Sequence, residues 1–337
     1  MAPAISVLMA VQHAGRFLEP ALRSLANQTF QDFELIIIDN NSRDGTDRVI
    51  VEWAAKDERI RIYRQNVLGA AKCINFAASV ARAPLLARLD GTDVLLPERL
   101  ERQHARMQRE QGLGLLGARV ELIDGGDNVM GRRDLPLTDE DLRAFLMRGN
   151  PFVQSAVMMR RMVFEAVGGY RTSLRTSNDF DLWCRMADVT QIANMEDVLV
   201  RFRVIEGGIP ASRPVRMAIT DTCIIAAARA RAARKTEPFI NGRADLGAAL
   251  KLLGVPRGEF RYRVLKDLIG IARHAVARGD KDFAKRLRAR ARGLAGGLSL
   301  RRMPNALAQI AASYFSAGFR RRRNLAFRRL LGIGRTR

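Results

Sequence analysis

The regular alternation of apolar runs with amphipathic stretches over the first hundred residues constrains this chain more than any other feature. "AISVLMAV" (4–11) and "FELIIID" (33–39) are continuous apolar runs, the pattern of strands buried on both faces. Between them Phe17, Leu18, Ala21, Leu22 and Leu25 fall on one side of a helix. In "NNSRDGTDRVIVEWAAK" Asp44 is expected as N-cap and Asp47 in the first helical turn. "RIRIYR" (59–64) alternates like a strand near a sheet edge, "GAAKCINFAASVARA" (69–83) is helical, and "PLLARLD" returns to the sheet. Strand and helix in strict succession mean βαβ units and a parallel sheet with right-handed crossovers. Ligands bind such sheets at the carboxyl ends of the strands, where Asp39 and Asp90 stand.

From residue 97 to 205 the alternation breaks. A helix (97–111) precedes "GLGLLGARVELID", the acidic "LTDEDLRAFLMRG" and "FVQSAVMMRR". In "RTSNDFDLWCRMA" Leu182, Trp183 and Met186 form an apolar helical face, and "VLVRFRV" (198–204) reads as a closing strand. This α+β material is appended to the βαβ half. The expected organisation is one domain over 1–207, with halves 1–100 and 101–207, and a helical extension over 208–337, joined by the linker "EGGIPASRP".

Charge divides the chain at the same point. Residues 211–337 hold 30 Lys+Arg against 7 Asp+Glu, a net of +23, and the rest of the chain nets −1. After Asp282 there is no acidic residue. Cys73, Cys184 and Cys223 are far apart and without CxxC spacing, which argues against a disulfide framework or zinc site and for a reducing compartment. No apolar run approaches the roughly 20 residues needed to span a bilayer, and the first residues lack a basic signal-peptide region. A cytoplasmic location is expected.

The loop "LDGTD" raises the question of a metal. Asp90 and Asp93 could hold Mg²⁺ or Mn²⁺, which prefer oxygen ligands, although Thr92 lies between them with only a neutral hydroxyl. The plain alternatives are a strand-end carboxylate for Asp90 and, for Asp93, the acid favoured before a helix opened by Pro97. Asp179 stands at a helix start, where Asp is also a good N-cap. Asp181 and Arg185, four residues apart, suit a surface ion pair, and Trp183 suits the core. Gly69 and Lys72 begin a helix whose free N–H groups could meet a nucleotide.

Taken in order and at this spacing, "ISVLMAVQHAGRFLEPALRSLANQTFQDFELIIIDNNSRDGT", "LDGTDVLLPERL" and "VGGYRTSLRTSNDFDLWCRMA" resemble the family 2 glycosyltransferases over residues 4–205. The resemblance implies an α/β GT-A fold: a Rossmann-like mixed sheet with a parallel βαβ N-terminal half, here followed by a basic α-helical extension. It implies inverting transfer of a sugar from a nucleotide-diphosphate donor to an acceptor hydroxyl, in cell-surface polysaccharide or glycolipid synthesis, with a glycan or lipid-linked acceptor. Val11, Asp39, Asn40, Gly69, Lys72 and Asp90 become the nucleotide-sugar set, Asp179 the catalytic base, and Asp90 with Asp93 the Mg²⁺ or Mn²⁺ site. The chain departs from the family pattern at Gln12-His13, at Asn40, and at Thr92, where the family has a metal-ligating Asp. Three accounts of Thr92 stand open. A cation is held in shifted geometry, basic groups such as Lys72 neutralise the diphosphate, or the fold persists as a non-catalytic binding or scaffold component.

"KDFAKRLRARARGLAGG" and "AGFRRRRNLAFRRLLGIGRTR" admit a solvated helical face, a membrane surface, or non-specific phosphate binding. Arg clusters interleaved with Leu307, Ile310, Tyr314, Phe315, Leu325, Phe327, Leu330 and Leu331 favour the membrane, on its cytoplasmic face. No sequence-specific nucleic-acid motif accompanies them.

Overall fold

The computed structural model describes residues 2–66, 69–205, 213–240, 243–277 and 281–295. Its elements follow the alternation closely at first: β1 (Ile5–Val11), α1 (Leu18–Ala26), β2 (Phe33–Asp39), α2 (Thr46–Ala54), β3 (Ile60–Arg64), α3 (Ala70–Ser79) and β4 (Leu85–Arg88). Then come β5 (Val94–Leu95), α4 (Arg99–Arg109), β6 (Leu113–Ile123), β7 (Val129–Arg133), α5 (Asp139–Leu146), β8 (Met158–Arg160), α6 (Arg161–Ala166), α7 (Asn178–Ala187) and β9 (Gln191–Arg203). They build one mixed sheet in the order β3-β2-β1-β4-β8-β6-β9-β5, with β7 paired to β6 outside that path. β3, β2, β1 and β4 are mutually parallel, whereas β8 runs antiparallel to both β4 and β6.

Side-chain alternation along the central strands explains why these runs are apolar throughout. Val7 and Met9 of β1 and Leu35 and Ile37 of β2 pack with Leu18, Leu22, Ile50, Leu100 and Met107 on one face. Leu8, Ile36 and Ile38 pack with Ile74, Ala77, Leu182 and Trp183 on the other. The sheet is therefore covered by helices on both sides, the arrangement parallel strands require. At the amino ends of these strands buried Glu34 accepts from Ser6 Oγ (2.6 Å) and is neutralised by Arg61 and Arg82. That cluster is structural, and it leaves the opposite, carboxyl ends to hold a ligand.

Three sequence expectations shift. The helix of α2 starts one residue late: Gly45, with φ +88°, takes the N-cap place, while Asp44 Oδ1 still accepts from Thr46 N at 3.2 Å. The chain forms two compact units, Met1–Gly254 and Val255–Arg337, so the boundary expected after 207 falls inside the first. The reason is apolar packing, since α8 (Arg213–Ala232) sends Ile224 and Ala228 into the same cluster as Trp183. This segment is not purely helical either, because β10 (Phe239–Ile240) and β11 (Arg243–Ala244) form a short antiparallel ladder before α9 (Leu246–Leu253). The linker "EGGIPASRP" lies mostly outside the described residues. In the second unit α10 (Arg257–Ala277) and α11 (Lys281–Ala295) bury Phe260, Val264, Leu268, Phe283, Ala284 and Leu287. No helix of the described residues is long and apolar enough to cross a membrane.

Candidate active site

Three loops at the carboxyl ends of β1, β2 and β4 are tied together by short polar contacts. The amides of Ala14 and Gly15 donate to Thr46 Oγ1 (3.0 and 3.1 Å), and Gly15 N also reaches Asp44 Oδ2 (3.0 Å). His13, at φ +55°, donates from its amide to Ser42 Oγ, and its Nδ1 accepts from Arg43 N. The β1 and β2 ends join where Asn40 N donates to Val11 O at 2.9 Å. Asp39, nearly fully buried, accepts from Ser42 N through Oδ1 (3.0 Å). Val11 itself is a packing residue: a Cβ built on Gly91 would come within 2.7 Å of Val11 Cγ1, so only glycine fits between Asp90 and Thr92. Gly69, at φ +79°, precedes α3 with open space where a side chain would be, and Lys72 is exposed in the first turn.

Asp90 projects from the end of β4 and keeps 37% of its side chain exposed. Its Oδ1 accepts from Arg88 Nη2 at 2.7 Å, and Arg88 is itself only 1% exposed. The Arg88 guanidinium also donates to Leu8 O and, with the amide of Gln154 oriented to present Oε1, to Gln154. Asp93 is placed quite differently. It is buried, its Oδ1 accepts from Arg203 N (2.8 Å), and its Oδ2 accepts from Ser155 Oγ (2.5 Å). Burial, reinforced by the nearby charge of Asp90, pushes its pKa up to about 7. Ser155 Oγ also receives Asp90 N (3.0 Å), and Arg203 Nε donates to Thr92 O (2.8 Å). Arg203 goes on to Asp124 O and Asp127, which fixes the loop against the β6–β7 turn. A cavity of about 450 Å³ opens there, lined by Arg16, Phe17, Asp124, Gly125, Gly126 and Ile205.

Asp179 is the second residue of α7. The residue at the cap, Ser177, adopts φ +56°, an uncommon conformation for a residue with a side chain. Asn150 Nδ2 donates to Asp179 Oδ2 at 2.9 Å, and Asn150 O in turn receives Arg133 Nη2 (2.9 Å). Burial raises the pKa of Asp179 from its ordinary value; the Phe180 amide and Asn150 pull the other way, and the charge of Asp90 adds to the rise. Asp90 and Asp179 are therefore brought within electrostatic reach of one another. Tyr170, held by Asn75 at its own N–H and C=O, lies against Trp183 and feels Arg88, Asp179 and Asp90.

The family model described as "Glycosyl transferase family 2" matches residues 6–168. The amylovoran biosynthesis glycosyltransferase AmsE of Erwinia amylovora is 30% identical over 189 residues, 55% of this chain and 70% of that protein. The chain belongs to the family 2 glycosyltransferases. EpsE of Bacillus subtilis (strain 168) is 32% identical over 187 residues, 54% of this chain and 66% of EpsE, so the chain spans just under two thirds of that relative. The O-antigen biosynthesis glycosyltransferase WbnJ of Escherichia coli is 28% identical over 208 residues, 59% of this chain and 79% of WbnJ. The crystal structure of S. aureus TarS 1-349 in complex with UDP-GlcNAc matches with a TM-score of 0.54 at 16% identity, over 87% of this chain and 92% of that one. That likeness establishes the GT-A fold.

Of the residues the transferase pattern singled out, Asp39, Asn40 and Asp90 stand at or just beyond the carboxyl ends of β2 and β4, Asp179 opens α7 against Asn150, and Asp93 is turned into the protein. The Asp181–Arg185 pair, expected on the surface, is buried at 2.7 Å, because α7 packs on nearly every side from Phe180 to Ala187. Trp183 is core, as expected. Sequence reasoning missed Arg88, Asn150, Ser155 and Arg203. Arg88 alone left a signal, a charge inside the apolar run "PLLARLD".

Proposed function

We propose that this glycosyltransferase moves a sugar from a nucleoside-diphosphate donor to an acceptor hydroxyl in one displacement, with inversion. The acceptor oxygen attacks the anomeric carbon and gives its proton to Asp179, while the bond to the diphosphate breaks and its electron pair leaves with the nucleotide. The observation that carries this reading is the carboxylate of Asp179, held by Asn150 Nδ2 at 2.9 Å, its pKa raised by burial and by the charge of Asp90. A base of ordinary carboxylate pKa would be a weaker proton acceptor near neutrality. Solved TarS complexes contain UDP and UDP-GlcNAc, which supports a uridine nucleotide as first donor to test. Relatives named for amylovoran and O-antigen biosynthesis support a surface polysaccharide or glycolipid as product. The test is the anomeric configuration of the product by NMR, where retention would reject the single displacement.

Attachment to an anionic membrane surface fits α11. Its apolar residues Phe283, Ala284, Leu287 and Ala291 are buried, and Lys281, Lys285, Arg286 and Arg288 face out. With the apolar side already covered, attraction would be electrostatic and weakened by salt. The Arg-rich stretch with Leu325, Phe327, Leu330 and Leu331 lies outside the described residues. Co-sedimentation with anionic vesicles at low and high salt tests the attachment; equal binding to neutral vesicles would oppose it.

A further inference from the structure

The donor set around Asp90 does not fit a resident divalent cation. Asp90 Oδ1 is already bound by Arg88, leaving Oδ2 as its one oxygen clear of that guanidinium. Both oxygens of Asp93 are committed to Arg203 N and Ser155 Oγ. Thr92 offers a neutral hydroxyl, and among the described residues no group of three His, Cys, Asp or Glu could hold a metal ion. A magnesium site of the usual kind takes one or two free carboxylates plus substrate phosphates and keeps its waters in octahedral order. Here a fixed, almost fully buried guanidinium stands beside the single candidate carboxylate. A doubly charged ion at that carboxylate would be repelled at close range by the guanidinium.

We propose that this transferase binds its nucleoside diphosphate without a divalent cation. The inference rests on the donor-binding reading above. Arg88 neutralises Asp90, so the exposed carboxylate of the β4 loop does not oppose the diphosphate as a bare charge. Side-chain cations then carry the compensation that a metal supplies elsewhere. Lys72, exposed in the first turn of α3 behind the open Gly69 corner, is one such cation. Arg133, whose Nη2 donates to Asn150 O at 2.9 Å, is the candidate beside Asp179. The buried Asp93 keeps a purely architectural task, joining Ser155 and Arg203 beneath the loop.

The experiment is calorimetric titration of the full chain with UDP, GDP, CDP, ADP and dTDP, each first in EDTA and then in Mn²⁺. The expected result is that at least one nucleotide binds in EDTA and that Mn²⁺ changes its Kd by less than about twofold. The variant Thr92→Asp, which restores a carboxylate beside Asp90, should tighten roughly tenfold with Mn²⁺, whereas Thr92→Ala should stay indifferent to it. Binding by the wild-type chain in Mn²⁺ alone, or at least tenfold tighter there, overturns the metal-free proposal and leaves the transferase reading intact. Failure of every nucleotide in both conditions overturns both together.

Discussion

Asn150 Nδ2 and Asp179 Oδ2 meet at 2.9 Å, so the helix α7 and the loop before Phe152 hold one carboxylate between them. The bond favours the ionised acid, against a burial effect that is larger and raises its pKa. Because the base acts in its charged form, transfer should rise with pH through that raised pKa and be lost below it. The acid limb of log kcat/KM against pH is expected above the ordinary Asp value of about 4. Asn150→Ala removes a group that favours the charge, so it should move the limb to still higher pH while Tm changes little. A limb at or below pH 4 in both proteins would remove Asp179 from the role.

Gly91 is the second prediction. Its added Cβ would lie 2.7 Å from Val11 Cγ1 and 3.4 Å from Leu18 Cδ1, both in a close-packed corner. Gly91→Ala should destabilise by about 1–3 kcal/mol and displace Asp90. The measurement pairs thermal unfolding with nucleotide affinity, and both should fall. Unchanged affinity would mean that the β4 loop does not hold the donor.

The third concerns Asp181, buried against Arg185 at 2.7 Å and Arg171 at 3.3 Å. Removing one member of a buried pair leaves an uncompensated charge and costs on the order of 3–5 kcal/mol. Asp181→Ala should lower the denaturant midpoint accordingly, far more than a surface ion pair would at about 0–1 kcal/mol. A loss under 1 kcal/mol would place this pair in solvent.

The first hundred residues were legible because local period and tertiary burial agree there: β2 occupies Phe33–Asp39 as the apolar run predicts, and β3, which alternates, is the sheet edge. The ends of β1, β2 and β4 could be named for the same reason. What stayed hidden depends on contacts distant in sequence. Asp93 meets Arg203, which is 110 residues away, and Asp179 meets Asn150 29 residues earlier. Nothing local distinguishes a committed carboxylate from an available one. The Asp181–Arg185 spacing is that of an exposed helix, and only packing by α8 and the neighbouring loops buries it. The unit boundary was misread because the basic composition after residue 210 resembles a detached tail, whereas Ile224 and Ala228 are core.

The most direct test of the central claim is release of nucleoside diphosphate from a panel of nucleotide sugars, comparing the full chain with Asp179→Asn at equal donor occupancy. The native chain is expected to turn over at least one donor. The variant should bind that donor with unchanged affinity and turn it over roughly 10²–10⁴-fold more slowly. Equal turnover by the two proteins, or none by the native chain from any donor it binds, would contradict it.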